Sequence, residues 1–278
     1  MREIICAEKD DRDPTFTIVI PTYRRPGLAW RAVSSALAQQ HPALEVIVVD
    51  DGSGSSWDYS AVEELPTVIM VRKSSNGGAA SARNCGIRLA RGRYVCFLDD
   101  DDELAPNFLS EMARAIRGQP VAPDLLWCGV QFIQYSGGFV TARKTTRVFP
   151  SEYSSIEALQ GDALSIGTGY GFTASRQLLV KVGLFDEDLR VTEDTELIVR
   201  LIEAGATVTA VSQVLVSVHD HEAERLTGAH FNRKRVQECS YLLQRHSAFF
   251  DMNPPFKLQL QLHIQHLREN FISQALSV

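Results

Sequence analysis

No apolar stretch in this 278-residue chain approaches the ~20 residues needed to cross a bilayer, and Met1 to Pro14 is charged rather than signal-like. A soluble, cytoplasmic chain is the expectation. Cysteine is sparse: Cys6, Cys85, Cys96, Cys128 and Cys239 are scattered, odd in number and without a close pair. That argues against both a zinc ribbon and a disulfide framework and leaves them as small core residues. A basic excess is also missing. Lys and Arg total 28 against 34 Asp and Glu, a formal net charge of −6, which gives no support to a nucleic-acid-binding surface and points to a small partner. Internal repeats and low-complexity tracts are absent, and the length fits one large domain or one domain with an appendage.

Against those absences stands one concentration. Val95-Cys96-Phe97-Leu98 is an apolar run that stops against five consecutive acids, Asp99-Asp100-Asp101-Asp102-Glu103. Like charges delivered to one point repel, so something positive belongs there, most economically a divalent cation. Short acidic runs are otherwise solvated loops. This one follows a β-type segment, Arg93 to Leu98, and precedes a helix expected over Pro106 to Arg117. It therefore falls beyond the carboxyl end of a strand, where open α/β sheets bind ligands.

The first hundred residues alternate strand and helix signals. Thr17-Ile18-Val19-Ile20 is a β-branched run ended by Pro21, and Pro26-Gly27 leads into an amphipathic stretch. Leu44 to Val49 and Val68 to Val71 are further strands, and a helix is expected over Ala79 to Ala90 after Asn76-Gly77-Gly78. Continuous apolar strands separated by helices favour a mostly parallel sheet covered on both faces, an α/β fold. Beyond Glu103 the rhythm loosens. Residues 125–150 read as strands around a Ser136-Gly137-Gly138 turn, 151–165 as a helix, and Gly167-Thr168-Gly169-Tyr170-Gly171 as a glycine-rich loop. Thr192-Glu193-Asp194-Thr195 offers polar caps for a helix through about Ala204. Thr207 to Val218 is a strand ending in His219-Asp220-His221, and the tail reads as two helices broken at Asn253-Pro254-Pro255.

Polar groups thus follow several strands: Asp50-Asp51, the acids at 99–103, Glu193-Asp194 before a helix, and His219-Asp220-His221. Asp before Gly is ordinary turn chemistry and Asp before a helix an ordinary cap. Several converging would favour Mg²⁺ or Mn²⁺ through hard oxygen ligands, and an imidazole tilts the choice toward Mn²⁺.

The series Thr17-Ile18-Val19-Ile20-Pro21-Thr22-Tyr23, Val48-Val49-Asp50-Asp51-Gly52-Ser53, Asn76 to Gly86, Asp99-Asp100-Asp101, Gly183-Leu184-Phe185-Asp186-Glu187 and Glu193-Asp194 before Arg200-Leu201 resembles the family-2 glycosyltransferases of the GT-A fold. The matches arrive in the family's order and cover about residues 15 to 221. The resemblance implies a GT-A domain over 15–228, with a nucleotide-binding half over 15–105 and an acceptor-binding half over 106–228, preceded by an extension over 1–14 and followed by a helical tail over 229–278.

It further implies a nucleotide-sugar donor, a UDP-sugar first, and transfer to an acceptor hydroxyl with inversion. Pro21, Tyr23 and Asp51 would line the base pocket, Asp100 would contact the ribose, and Asp101 of the DxD motif would ligate Mn²⁺ or Mg²⁺ on the diphosphate. Arg83 would orient the DxD acids or the diphosphate. Asp194 would be the general base and Glu193 would position the acceptor. His219 would reach metal or diphosphate, with His221 the lesser candidate, and Arg225-Leu226-Thr227 would close a flap over the donor. Five acids cannot all ligate one ion, so Asp102 and Glu103 are expected at the edge, facing solvent or capping the next helix.

In the tail, Leu260, Ile264, Leu267 and Phe271 recur at helical spacing. This stripe is expected to pack on the domain or on a partner subunit, as a homodimer through the C-terminal helices, with peripheral contact at a membrane surface the remaining reading. Two rival functions stay open here: a metal-dependent nucleotidyltransferase, and a nucleotide-sugar binding module without transfer.

Overall fold

The runs of β-branched residues assigned to the interior pair with one another there. The computed structural model describes residues 15–41, 44–136, 139–220 and 231–275. The Met1 to Pro14 extension with Cys6, the Gly137-Gly138 turn, His221 and Arg225-Leu226-Thr227 lie outside the described residues, as does the side chain of Phe271. Strands β1 (Phe16–Thr22), β2 (Leu44–Asp50), β3 (Val68–Arg72) and β4 (Tyr94–Phe97) run parallel in the order β3-β2-β1-β4. They are linked through α1 (Pro26–Leu37), α2 (Ser60–Glu63) and α3 (Ala79–Leu89).

Alternate residues of these strands feed two cores. Val19, Ile47, Val49, Val95 and Phe97 pack with Ala80, Ala82 and Ile87 of α3, whereas Ile18, Ile20, Val46, Val48 and Cys96 pack with α1. Each fully buried Val, Ile or Phe stabilises by roughly 1.5–3 kcal/mol, so covering both faces is what holds the parallel half. Gly86 lets α3 approach closely, since a Cβ there would meet Val19 Cγ1 at 2.4 Å.

Pro21 does not end β1, as its type suggested. The strand continues to Thr22, with Pro21 opposite Val49 of β2. On the other side the ladder with β4 stops at Val19 opposite Phe97, so the missing Pro21 N–H falls where no partner strand would have received it.

The second half is mixed. It comprises β5 (Glu103–Leu104), α4 (Phe108–Arg117), β6 (Leu125–Ser136), β7 (Phe139–Arg147), α5 (Ile156–Ala163), a 3₁₀ turn at Thr168–Tyr170, β8 (Thr173–Ser175), α6 (Arg176–Lys181), α7 (Glu193–Glu203) and β9 (Val208–Asp220). Short β8 sits antiparallel between β4 and β6, β9 runs parallel to β6, and β5 closes the far edge antiparallel to β9. The expected α/β class, a curled sheet flanked by helices with a helical C-terminus, is what the chain adopts.

The tail has three helices rather than two: α8 (Asn232–Arg245), α9 (Ser247–Met252) and α10 (Pro254–Ala275). The extra break falls at His246, whose Nδ1 lies 2.9 Å from Glu203 Oε2 and whose Nε2 lies 3.2 Å from Glu196 Oε1, so side-chain docking on α7 interrupts the helix without proline. Phe249, Phe250 and Phe256 pack on Val199 of α7, with Leu260 alongside, and Ile264 and Leu267 are buried. The described part of the expected stripe, Leu260, Ile264 and Leu267, therefore packs on the chain itself. Among the described residues no helix is long and apolar enough to cross a membrane.

Candidate active site

The acidic run begins where β4 leaves the sheet and turns sharply, with Asp102 N donating to the Asp99 carbonyl at 3.1 Å. The turn splays the acids apart. Asp99 faces Arg83 of α3, 2.8 Å away. Asp100 is buried and accepts from Thr22 Oγ1 at 2.7 Å and Arg25 Nη1 at 3.3 Å. Burial pushes the Asp100 carboxyl up to about 6, against the pull of Thr22 and Arg25. Asp101 stands at the rim, its side chain 15% exposed, also 3.3 Å from Arg25 Nη1. Its carbonyl accepts from Arg31 Nη2 at 2.6 Å. Arginines thus supply part of the positive charge that the packed carboxylates demand.

Asp102 is buried rather than at the solvent edge, Glu103 keeps its side chain 38% exposed at the edge as expected, and neither caps α4. Pairing of Glu103 with Ser217 draws the end of the run beneath the end of β9. Asp102 is buried there and accepts from His219 N at 3.1 Å, and Glu103 Oε2 lies 2.6 Å from His219 Nε2.

Arg83 is the joint of the site. Its side chain is 6% exposed, and its guanidinium donates to Asp99 Oδ1 and Glu193 Oε1, both at 2.8 Å, and to Thr168 Oγ1 at 2.9 Å. Burial would depress the arginine, but the charges of Asp99 and Glu193 more than offset it and hold it firmly protonated. Its place depends on the next residue: Asn84 exchanges hydrogen bonds with the Phe185 backbone, N to Oδ1 and Nδ2 to O, each 2.9 Å. Arg200 of α7 grips the same Gly183–Phe185 turn through the Val182 and Leu184 carbonyls. The motif at 183–187 therefore fastens α3 to α7, which brings Arg83 against Glu193.

Glu193, buried, and Asp194, half-buried, open α7. Burial raises both carboxyls above their ordinary range, with Asp194 adding to the rise at Glu193 and Arg83 opposing it at both. Asp194 Oδ1 accepts from Thr195 N at 2.7 Å, and the Thr168 amide also donates to this carboxyl. Asp194 Oδ2 rests against Gly167, where a Cβ would stand only 2.6 Å away. The glycine-rich loop thus lies between the two acidic groups, since a Cβ on Gly169 would be 3.5 Å from Asp102 and 4.0 Å from Asp99. Thr192 does not cap α7 as its type suggested; its hydroxyl donates to Glu238 Oε2 of α8 at 3.1 Å.

Beyond the end of β1, half-buried Pro21 and Tyr23 lead into a loop where Arg24 adopts φ 57°, a left-handed conformation costly for a residue with a Cβ. Ser53 Oγ accepts from Arg24 N at 2.7 Å and Tyr59 Oη from Arg25 N at 3.2 Å, holding the turn. Both Asp51 oxygens accept within the chain, from Gly77 N, Gly78 N and Lys73 Nζ. Asp51 therefore also fixes the entry to α3, where Gly78 takes a φ of 88° open to glycine.

Both ring nitrogens of His219 are engaged, Nε2 by Glu103 and Nδ1 by Tyr135 Oη at 2.8 Å, and burial lowers its basicity. As placed, it does not offer a lone pair beside Asp101. Among the described residues no three His, Cys, Asp or Glu side chains converge as a metal cage. Asp101, a rim carboxylate, fits a cation that takes most of its shell from diphosphate and water, the habit of Mg²⁺ and of Mn²⁺ in phosphate sites.

Sequence reasoning did not find Thr22, Arg25, Thr168, Tyr135 or Glu238. Each acts through a partner at least 46 residues away, and no local pattern marks such contacts.

The model of glycosyl transferase family 2 matches residues 17–183, and the chain belongs to that family. It is 28% identical over 211 residues to an uncharacterized glycosyltransferase of Rickettsia prowazekii, covering 76% of this chain and 65% of that one. It is 29% identical over 251 residues to WcaA of Escherichia coli K12, provisionally named a colanic acid biosynthesis glycosyl transferase, covering 85% and 87%. The chain thus spans about two thirds of the Rickettsia relative's length and most of WcaA. Among solved structures, Staphylococcus aureus TarS 1–349 in complex with UDP-GlcNAc superposes with a TM-score of 0.63 at 19% identity, covering 82% of this chain and 66% of that one. The mannosyltransferase PcManGT of Pyrobaculum calidifontis, in complex with GDP-Man and Mn²⁺, gives 0.60 at 20%, covering 95% and 76%. These two likenesses establish the GT-A architecture.

Proposed function

We propose that this chain transfers a sugar, with inversion, from a nucleoside-diphosphate donor to an acceptor hydroxyl. The observation that carries this reading is the Arg83 bridge, which ties the acid run at the donor end to the Glu193-Asp194 pair. Asp194, half-buried and raised, takes the proton from the acceptor hydroxyl as its oxygen bonds to the anomeric carbon. The bond from that carbon to the diphosphate breaks on the opposite face. Glu193, held by Arg83, positions the acceptor, and Asp100 with Thr22 faces the ribose. Pro21, Tyr23 and Asp51 border the base. A divalent cation, Mn²⁺ or Mg²⁺, held by Asp101 together with the donor, would supply charge neutralisation at the departing diphosphate. His219 would join it only on release of Glu103 or Tyr135.

A UDP-sugar is the first donor to try, supported by the complex of TarS with UDP-GlcNAc, and GDP-Man the second. Relatives named for colanic acid and succinoglycan biosynthesis favour a saccharide acceptor. The test is nucleotide release from a panel of UDP- and GDP-sugars with Mn²⁺ or Mg²⁺. Release should stop with EDTA and fall by about 10²–10⁴-fold in Asp194→Asn, while UDP binding survives the substitution. Undiminished turnover in Asp194→Asn would show that another group is the base.

A further inference from the structure

Glu238 lies on α8, in the tail beyond residues 17–183, and is 3% exposed. A buried carboxylate needs hydrogen-bond donors, and nearly all the described donors to this one come from one short loop. Oε1 accepts from Arg190 N at 2.9 Å, and Oε2 from Val191 N at 3.0 Å and Thr192 Oγ1 at 3.1 Å. Lys234, one turn earlier on α8, lies 3.5 Å from Oε1.

We propose that Glu238 is a positioning residue that sets the backbone leading into Glu193 and Asp194 and couples it to the nucleotide loop. The proposal rests on the reading of Asp194 as the base. Residues 190–192 run directly into α7, and the Thr192 hydroxyl is withdrawn from capping that helix to serve Glu238. The start of α7 is therefore referenced to the tail rather than closed locally. The same loop reaches the donor side: Arg190 Nη1 donates to the Gly77 carbonyl at 2.8 Å, and Gly77 N donates to Asp51. A Cβ on Gly78 would meet that guanidinium at 2.2 Å, so the glycine leaves the space Arg190 occupies. One tail carboxylate thus fixes a three-residue segment that leads forward into Glu193 and the base, and whose Arg190 side chain touches the nucleotide loop. A base displaced by 1 Å loses rate without losing ligand, which is the signature to seek.

Glu238→Gln keeps the shape and one acceptor oxygen, whereas Glu238→Ala removes both. The expected order of kcat for nucleotide release is wild type, then Gln, then Ala, with Gln down by about tenfold, while the UDP dissociation constant stays within about twofold. Amide hydrogen exchange should quicken across 190–196 and hold unchanged across β1 to β4. Lys234→Ala, which leaves the three loop bonds in place, should match wild type. If Glu238→Gln retains wild-type kcat, or loses kcat and UDP affinity only in proportion to folded protein, the positioning role is refuted. If Asp194→Asn stays active, the reading of the base has failed instead, and the exchange data still report whether Glu238 holds the loop.

Discussion

Arg83 and Glu193 stand 110 residues apart in the chain and 2.8 Å apart in space, both nearly sealed from solvent. Breaking such a pair from one side strands a buried carboxylate, which typically costs about 3–5 kcal/mol, less whatever Glu193 recovers by taking up a proton. Arg83→Met should therefore lower stability by roughly 3 kcal/mol. Adding Glu193→Gln should restore more than half of it, because the buried group is then neutral and the remaining partner, Asp99, is 32% exposed to water. Urea denaturation of both single variants and the double variant checks the coupling; additive losses would mean the two side chains do not interact.

As the proposed base, Asp194 must be ionised to accept a proton, and burial first, then the charge of Asp99, hold its carboxyl above the ordinary range while Arg83 and the amides of Thr195 and Thr168 oppose them. The acid limb of kcat should accordingly lie above the usual Asp value of about 3.9, with rate rising as pH increases through it. Asp194→Asn should cost about 10²–10⁴-fold in kcat and abolish that limb from residual turnover.

Gly167→Ala tests the seat of the base by shape alone. The new methyl would fall 2.6 Å from Asp194 Oδ2, too close to coexist with the present rotamer. Loss of kcat by about tenfold or more, with UDP affinity retained, is the expected result. Saturation kinetics paired with calorimetric UDP titration separates the two quantities.

His246 gives the fold a pH dependence of its own. Its hydrogen bond to Glu196 leads the causes that raise its basicity, with Glu203 adding to it against partial burial. A histidine raised in the folded state contributes stability that is fully present below its unfolded value of about 6.5 and is lost as pH climbs through the folded value. The thermal midpoint should fall from pH 6 to pH 9 by more in the wild type than in His246→Gln. Equal slopes would show that the imidazole does not charge on docking.

How much of this was legible without coordinates divides along the same lines as the contacts. The four parallel strands and α3 were readable because their apolar residues are consecutive and their turns carry Gly, Pro and Asp. Asp100, Asp101, Arg83 and the Glu193-Asp194 pair stood out through motif spacing. The fates of Asp102 and Glu103 did not, because short β5 pairs with a strand more than a hundred residues downstream, and nothing local reports it. Thr192 misled for a related reason. Its type promises a cap, and only the arrival of Glu238 explains why the hydroxyl points elsewhere.

The loop at 167–171 has one more consequence. Between Asp99 and Asp102 on one flank and Asp194 on the other it carries no charged side chain, only backbone, the Thr168 hydroxyl and the Tyr170 phenol. Charge brought to one flank is felt at the other, because Arg83 pairs with Asp99 and also acts on Asp194. Nucleotide occupancy and the proton on Asp194 are then linked equilibria: a diphosphate arriving without a cation favours the protonated acid, and one arriving with a cation relaxes it. Affinity for UDP should itself drift with pH, and by different amounts with and without metal.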